Sequence, residues 1–273
     1  MATLSHIAVH PVKALDPVSL ERVGTTAVGG LDYDRAYAFV DDDGAYVNGK
    51  QTDAVHRLRA DFDLERTLVT LRREGDSTGR SFHLDEERDD LERWASGYFG
   101  TTVSLEAGAG GSRTDGVVYG SAEKTGPTLV SEATLEEVGS WFGLSPDEVR
   151  LRLRPNLVVT GVPAFWEDKL VADGGRPLEI GAARLEGTRS IPRCIVPARD
   201  PHTGEEYQHF RQEFVERRAE TMPEWTSEET LDGNLYSVTV GTRIPESERG
   251  GELRIGDEVS LAGATTSPAS DSR

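Results

Sequence analysis

The segment VRLRLRPNLVV, residues 149–159, alternates Val149, Leu151 and Leu153 with Arg150, Arg152 and Arg154. It breaks at Pro155 and Asn156 and resumes as Leu157, Val158 and Val159. An extended chain sends successive side chains to opposite faces, so a period of two predicts a β-strand with one buried face. AYAFVD (36–41), TLVTL (67–71), LYSVTV (235–240) and DEVSLA (257–262) read as further strands. Glycine-rich turn signals separate them, such as DDDG at 41–44, ADGG at 172–175 and SERGGE at 247–252. Many short strands between such turns predict a mainly β fold, a barrel or sandwich rather than a doubly wound sheet.

Helical patterns are few. Residues 86–99 place Leu91, Trp94, Ala95 and Tyr98 on one face. SEATLEEVGSWFG (131–143) opens on a serine cap and ends in a glycine stop, and 207–219 sets Phe210 and Phe214 four apart. The glycine-rich stretch 107–116 reads as a linker. It divides the chain into a β-rich unit over 1–111 and a second unit over 112–263, with a small, polar, disordered tail at 264–273.

The chain of 273 residues has a formal net charge of -18, and lysine occurs only at Lys13, Lys50, Lys124 and Lys169 among 30 basic residues. Strong acidity with few lysines fits a surface kept hydrated in a salt-rich cytoplasm. It argues against duplex nucleic acid and anionic membrane as partners, since both require a basic footprint. No run approaches the roughly 20 apolar residues of a membrane span. The start, MATLSHIAVHPVK, lacks the basic-then-apolar pattern of a signal peptide. A single cysteine permits no internal disulfide. A cytoplasmic protein is the expectation.

The six histidines, His6, His10, His56, His83, His202 and His209, show no metal-binding spacing, so a protein-only zinc site is not expected. GAGG at 108–111 lacks a phosphate-loop lysine. The lone cysteine is the exception. Cys194 lies in RSIPRCIVPARDPHTGE (189–205), with Arg189, Arg193 and Arg199 around it and no acidic residue between 189 and 199. Pro192 and Pro197 constrain the segment, and DPHTG (200–204) follows as a turn. Positive charge favours the thiolate, the form that serves as nucleophile and as soft-metal ligand. A metal held by one thiolate needs further ligands, which an anionic cofactor could bring. Such a cofactor would also account for the basic residues in RLRPN (152–156), GLDYDR (30–35) and HPVK (10–13). Ser131 can cap a helix and line an anion site at once.

Together these segments are similar to the MOSC family, named for the C-terminal domain of molybdenum cofactor sulfurase. The nearest pattern is its two-part branch that includes the mitochondrial amidoxime-reducing component. HPVKAL, GLDYDRAYAFVDDDG, GPTLVSEATLEEV, RLRPNLVVTG, FWED, RCIVPARDPHTGE and GELRIGDEVSL run in the family's order over residues 4 to 262. The resemblance implies an N-terminal β-rich MOSC-associated domain joined to a MOSC β-barrel. It further implies a pyranopterin cofactor carrying molybdenum or tungsten, with Cys194 as the metal ligand. Lys13 and Arg35 match positions that meet the cofactor's phosphate and pterin. Ser131 and Thr134 match its helix start, and Arg154 and Asn156 its RPN pair. Arg193 would stabilise the thiolate, and Asp200 would shape the turn beside the metal. Ala14 stands where relatives often carry serine.

Three functions compete on these residues. One is an oxidoreductase that removes oxygen from N-hydroxylated or N-oxide substrates, fed by a separate ferredoxin or flavoprotein. The second is a cofactor carrier or sulfur-handling protein without turnover. The third is a metal-free thiol nucleophile with His202 or His209 as its base.

Overall fold

The structure, a computed structural model, describes residues 1–108, 126–172 and 175–262. Most of the linker stretch and the whole tail predicted from sequence lie outside these. The first part of the chain forms β1 (Thr3–Val9), β2 (Val18–Leu20), β3 (Arg22–Gly24), β4 (Tyr37–Asp41), β5 (Leu58–Asp63), β6 (Leu68–Arg73) and β7 (Arg80–His83). Helix α1 (Arg88–Phe99) and β8 (Val103–Ala107) complete it. The second part begins with β9 (Thr128–Ser131), α2 (Glu132–Phe142), α3 (Pro146–Leu153) and β10 (Leu157–Thr160). It continues through β11 (Leu178–Ile180), β12 (Ala183–Pro192), α4 (Phe210–Glu220), β13 (Ser237–Arg243), β14 (Glu252–Arg254) and β15 (Val259–Leu261). The fold is mainly strands with four helices among the described residues, as the dense turn signals imply.

The segment 149–159 is not one strand. Residues 146–153 are helix α3, and the strand starts only at Leu157. Ser145 caps α3 by accepting the Glu148 amide, Pro146 occupies the first turn, and Asp147 and Glu148 face the positive end of the helix. The buried residues are Val149, Arg152 and Leu153, spaced three and four apart rather than two. Arg154 ends the helix at φ 55°, left-handed without being glycine. That turn throws the chain from α3 into β10.

β10 enters an eight-stranded sheet of order β15-β11-β12-β13-β9-β10-β1-β2. β9 and β10 run parallel, joined by α2 and α3 as the crossover. The ladder does not close into a barrel among the described residues. Even so, Leu4 N–H donates to Asp257 (2.9 Å) and Val259 N–H to Ala2 (2.9 Å), tying the start of β1 to the last strand. One core, including Ile7, Leu129, Leu157, Leu185 and Val240, lies on one side of this sheet. A second, of Val130, Leu135, Phe142, Phe210 and Phe214, seats α2, α3 and α4 on its other side. A third, of Phe39, Leu58, Leu71, Phe82 and Leu91, belongs to β4–β8 and α1. Full burial of each such side chain contributes about 1.5–3 kcal/mol, which pins the loops that leave these elements.

Candidate functional site

The thiol loop leaves β12 at Pro192. Arg193 N–H donates to the Tyr236 carbonyl (2.8 Å), the last backbone bond between this end of β12 and the approach to β13. Cys194 is half-buried, and its carbonyl accepts the Tyr236 hydroxyl (3.1 Å). A 3-10 turn, Val196–Ala198, follows at once. The DPHTG turn is then organised by Asp200, whose Oδ1 accepts the His202 and Thr203 amides at 2.9 and 2.8 Å. Those bonds, with Arg152 nearby, hold the Asp200 carboxyl below its usual range despite partial burial. Gly204 has φ 78°, and a Cβ there would stand 2.9 Å from Asp53, so this position requires glycine twice over. His202 sits at the tip beside Arg59 and Glu74, and His209 precedes α4 at φ 64°. Neither imidazole hydrogen-bonds Cys194, so the pair a thiol nucleophile needs is not assembled.

On the other side of the α3 terminus lies a buried polar cluster. Lys13, His10, Asp34, Arg35 and Asn156 are each less than a tenth exposed. Arg35 takes φ 50°, which turns its guanidinium back on its own neighbour: Nη1 donates to both oxygens of Asp34 (2.7 and 2.6 Å) and to Asn156 Oδ1 (3.3 Å). Asp34 also accepts the His10 amide (2.9 Å). Burial opposes ionisation of Asp34, but the Arg35 guanidinium and His10 together outweigh it and hold the carboxyl at about 2. Burial, then Arg154 and Arg35, push His10 down to about 3, so it is a neutral imidazole at any physiological pH. Arg154 Nη2 donates to the Leu15 carbonyl (2.7 Å), and Lys13 Nζ lies 5.4 Å from the Tyr46 ring centroid. Ala14 is a further non-glycine residue at positive φ, 70°.

The sequence-predicted residues therefore fall into three places. Lys13, Arg35, Arg154 and Asn156 converge around the end of α3. Arg193, next to Cys194, meets the same turn, its Nη2 donating to the Leu153 carbonyl (2.8 Å). Ser131 and Thr134 do not join them at a surface. Both are fully buried; Ser131 caps α2 through the Thr134 amide (3.1 Å) and its hydroxyl lies 2.8 Å from that of Thr134. Thr134 in turn accepts the Phe165 amide (2.6 Å), which fixes the turn leading to Trp166–Leu170. Asn156 is similarly committed inside the protein. Its Oδ1 accepts from Thr128 as well as Arg35, and its Nδ2 donates to the Ala8 carbonyl (3.0 Å).

Several residues around this site were not singled out from the sequence. Asp34 orients Arg35, Tyr236 buttresses the Cys194 peptide, and Glu167 and Asp168 lie buried behind Thr134. Asp168 pairs with the wholly buried Arg218, which also lies 3.7 Å over the Phe165 ring. Burial first, and Asp168 second, raise Glu167 to about 7, against a smaller opposing pull from the Thr134 and Ser131 hydroxyls. The only advance signals were the dipeptides Asp34-Arg35 and Glu167-Asp168 themselves. Among the described residues no three of histidine, cysteine, aspartate and glutamate gather where a metal could be held. No helix there is long and apolar enough to cross a membrane.

With this geometry in hand, two family profiles match the chain: the MOSC N-terminal beta barrel domain over residues 1–95 and the MOSC domain over 127–260. Mitochondrial amidoxime reducing component 2 of Bos taurus is 24% identical across 95% of this chain and 83% of its own length. The Rattus norvegicus protein of the same name is 26% identical with the same coverage. Human molybdenum cofactor sulfurase is 22% identical over 79% of this chain, which corresponds to 28% of the sulfurase.

Proposed function

From the premise that this chain belongs to the MOSC family, we propose that it binds a pyranopterin molybdenum cofactor and reduces N-oxygenated substrates. The single observation that carries the reading is the α3 terminus. The loop of one half-buried thiol and the buried Arg35 are both tied to the turn that ends α3, through Leu153 and Asn156, in a protein of net charge -18. An anionic cofactor with a soft metal needs that donor set: a thiolate for the metal, and cations with amide donors for phosphate and pterin. The residues present fit it, with Cys194 as metal ligand, Arg193 beside the sulfur, and Lys13, Arg35 and Arg154 toward the anionic end. In this reading Asn156, Ser131, Thr134 and Asp200 shape the walls rather than touch the ligand.

When bound, the group supplies two-electron oxygen-atom chemistry; the overall change is N–OH plus two electrons and two protons giving N–H and water. The chain's own contribution is placement. Tyr236 and Arg193 hold the Cys194 peptide from both ends, and Asp34 keeps Arg35 charged and aimed. His10 stays neutral, so it adds no repulsion among the cations. Electrons come from a separate ferredoxin or flavoprotein. The working unit comprises a β-rich domain over 1–111 and a MOSC domain over 112–263, in the cytoplasm. The sulfurase among the relatives favours one alternative, a carrier or sulfur-handling protein that holds the same cofactor without turnover.

The test is metal content of protein made without oxygen in a host that loads a related enzyme, for wild type and Cys194→Ser. Near-stoichiometric molybdenum or tungsten is expected in wild type, lost or spectrally altered in the variant. Loaded wild type should convert an amidoxime to its amidine with reduced viologen. Metal without turnover would select the carrier. No metal in either protein would sink both readings.

A further inference from the structure

We infer that Arg152 is the positioning residue of Cys194: a guanidinium that locks the sulfur-bearing loop onto the helix end carrying the cations, without meeting any ligand itself. The inference rests on the reading of Cys194 as the working residue and adds how that residue is held. Arg152 is 6% exposed, in the last turn of α3. Its Nη1 donates to two carbonyls just beyond the thiol, Pro197 (3.1 Å) and Arg199 (2.7 Å). Its Nε and Nη2 converge on Glu148 Oε1, one helical turn back, at 3.3 and 2.8 Å. The planar fork thus has one edge anchored in the helix and the other in the loop.

Three features separate this role from ligand binding. First, all three nitrogens of the Arg152 guanidinium are engaged within the protein, Nη1 by the two loop carbonyls and Nε and Nη2 by Glu148. Second, its contacts fall after Cys194, whereas Arg193 ties the residue before it to Leu153 of the same helix. The thiol is therefore bracketed between residues 193 and 199 by two arms that end on one turn of α3. Third, Arg154, two residues further on, leaves that turn toward Leu15, beside Lys13 in sequence. α3 is the gauge between the sulfur and the cations, and Arg152 sets one end of it. A lysine cannot reproduce this, because one ammonium cannot reach the carboxylate and both carbonyls with fixed geometry.

The chain has one cysteine, so the rate of iodoacetamide alkylation of folded, metal-free protein reports on Cys194 alone. Arg152→Met should alkylate about tenfold faster, equivalent to roughly 1.4 kcal/mol in loop opening. Arg152→Lys should fall between the methionine variant and wild type. Hydrogen exchange should accelerate at the Ala198 and Arg199 amides, which donate within the 3-10 turn (both 3.0 Å), while α2 amides keep their protection. Loaded protein carrying Arg152→Lys should lose kcat with little change in KM. Wild-type alkylation and exchange in Arg152→Met would overturn the inference. So would protection lost equally in α2 and α4, the mark of general destabilisation. Should the methionine variant fail to fold, the lysine variant decides by the same criteria. Because alkylation is read without metal, a failed metal assay would sink the proposed function and leave this result standing on its own.

Discussion

Two turns in this protein each bury a carboxylate beside a left-handed, non-glycine residue, and they treat its proton oppositely. In the turn at 30–35, Asp34 is 4% exposed and held at about 2; in the turn at 165–170, Glu167 is 1% exposed and raised to about 7. Burial opposes charge in both. The difference is in the partners: Arg35 grips both Asp34 oxygens, with His10 beside it, whereas Glu167 has a second carboxylate, Asp168, next to it, and the buried Arg218 pairs with Asp168. Depth alone does not decide whether an acid ionises; the partner does.

The largest expected effect comes from breaking the paired side. Asp34→Asn keeps the shape and the acceptor for the His10 amide but strands a buried Arg35, and should cost about 3–5 kcal/mol in urea unfolding. A loss under about 1 kcal/mol would mean Arg35 finds compensation elsewhere. The next effect is in the pH profile. The folded-state pKa of Glu167 lies above its ordinary value, so the stability it lends is present at low pH and fades as pH rises from about 4.5 through about 7. Glu167→Gln should remove that decline, on the order of a few kcal/mol at most, and leave the acid limb intact. The acid limb has the opposite sign: His10 and Asp34, both depressed, lose their contribution as pH falls below their ordinary values. A Gln variant with an unchanged slope between pH 5 and 7 would remove Glu167 from the comparison. The smallest effect sharpens it from outside. Arg93 and Asp90 make the same kind of contact at an exposed helix position, and Arg93→Ala should change stability by no more than about 0.5 kcal/mol.

How much of this was legible follows from what periodicity can encode. α1, α2 and α4 were readable because 11 or 12 residues give an apolar stripe time to repeat, and α2 carries its serine cap and glycine stop in plain view. α3 was misread because eight residues give barely two turns, in which Val149, Leu151 and Leu153 satisfy a period of two as well as a helix does. The deciding signal was its N-terminus, Ser145-Pro146-Asp147-Glu148, rather than its interior. Motif resemblance picked out Arg35, Arg154 and Cys194, and the structure ties Arg35 to Asn156 and Arg193 to Leu153, either side of Arg154 in sequence. It did not reveal that Ser131, Thr134 and Asn156 turn inward, because a residue's side chain can belong to a motif for packing or for contact alike. Arg152, Asp34 and Glu167 escaped for a common reason. A charged residue reads as surface in any one-dimensional pattern, and only tertiary partners make its burial possible.

The place of β1 in the main sheet carries a consequence in time. Its neighbour on one side is β10, and the hydrogen bond from Ser5 to Val158 spans 153 positions of sequence. At roughly 5–20 residues per second on a ribosome, β1 waits on the order of ten to thirty seconds for that partner to be made. During that interval Ile7 and Val9, later fully enclosed, have only the short β2 to pair with, at Leu20 and Val18. The second edge of the strand that opens the chain is thus among the last to be filled, and the hairpins of β5–β7, whose partners are only a few residues away, have settled long before it.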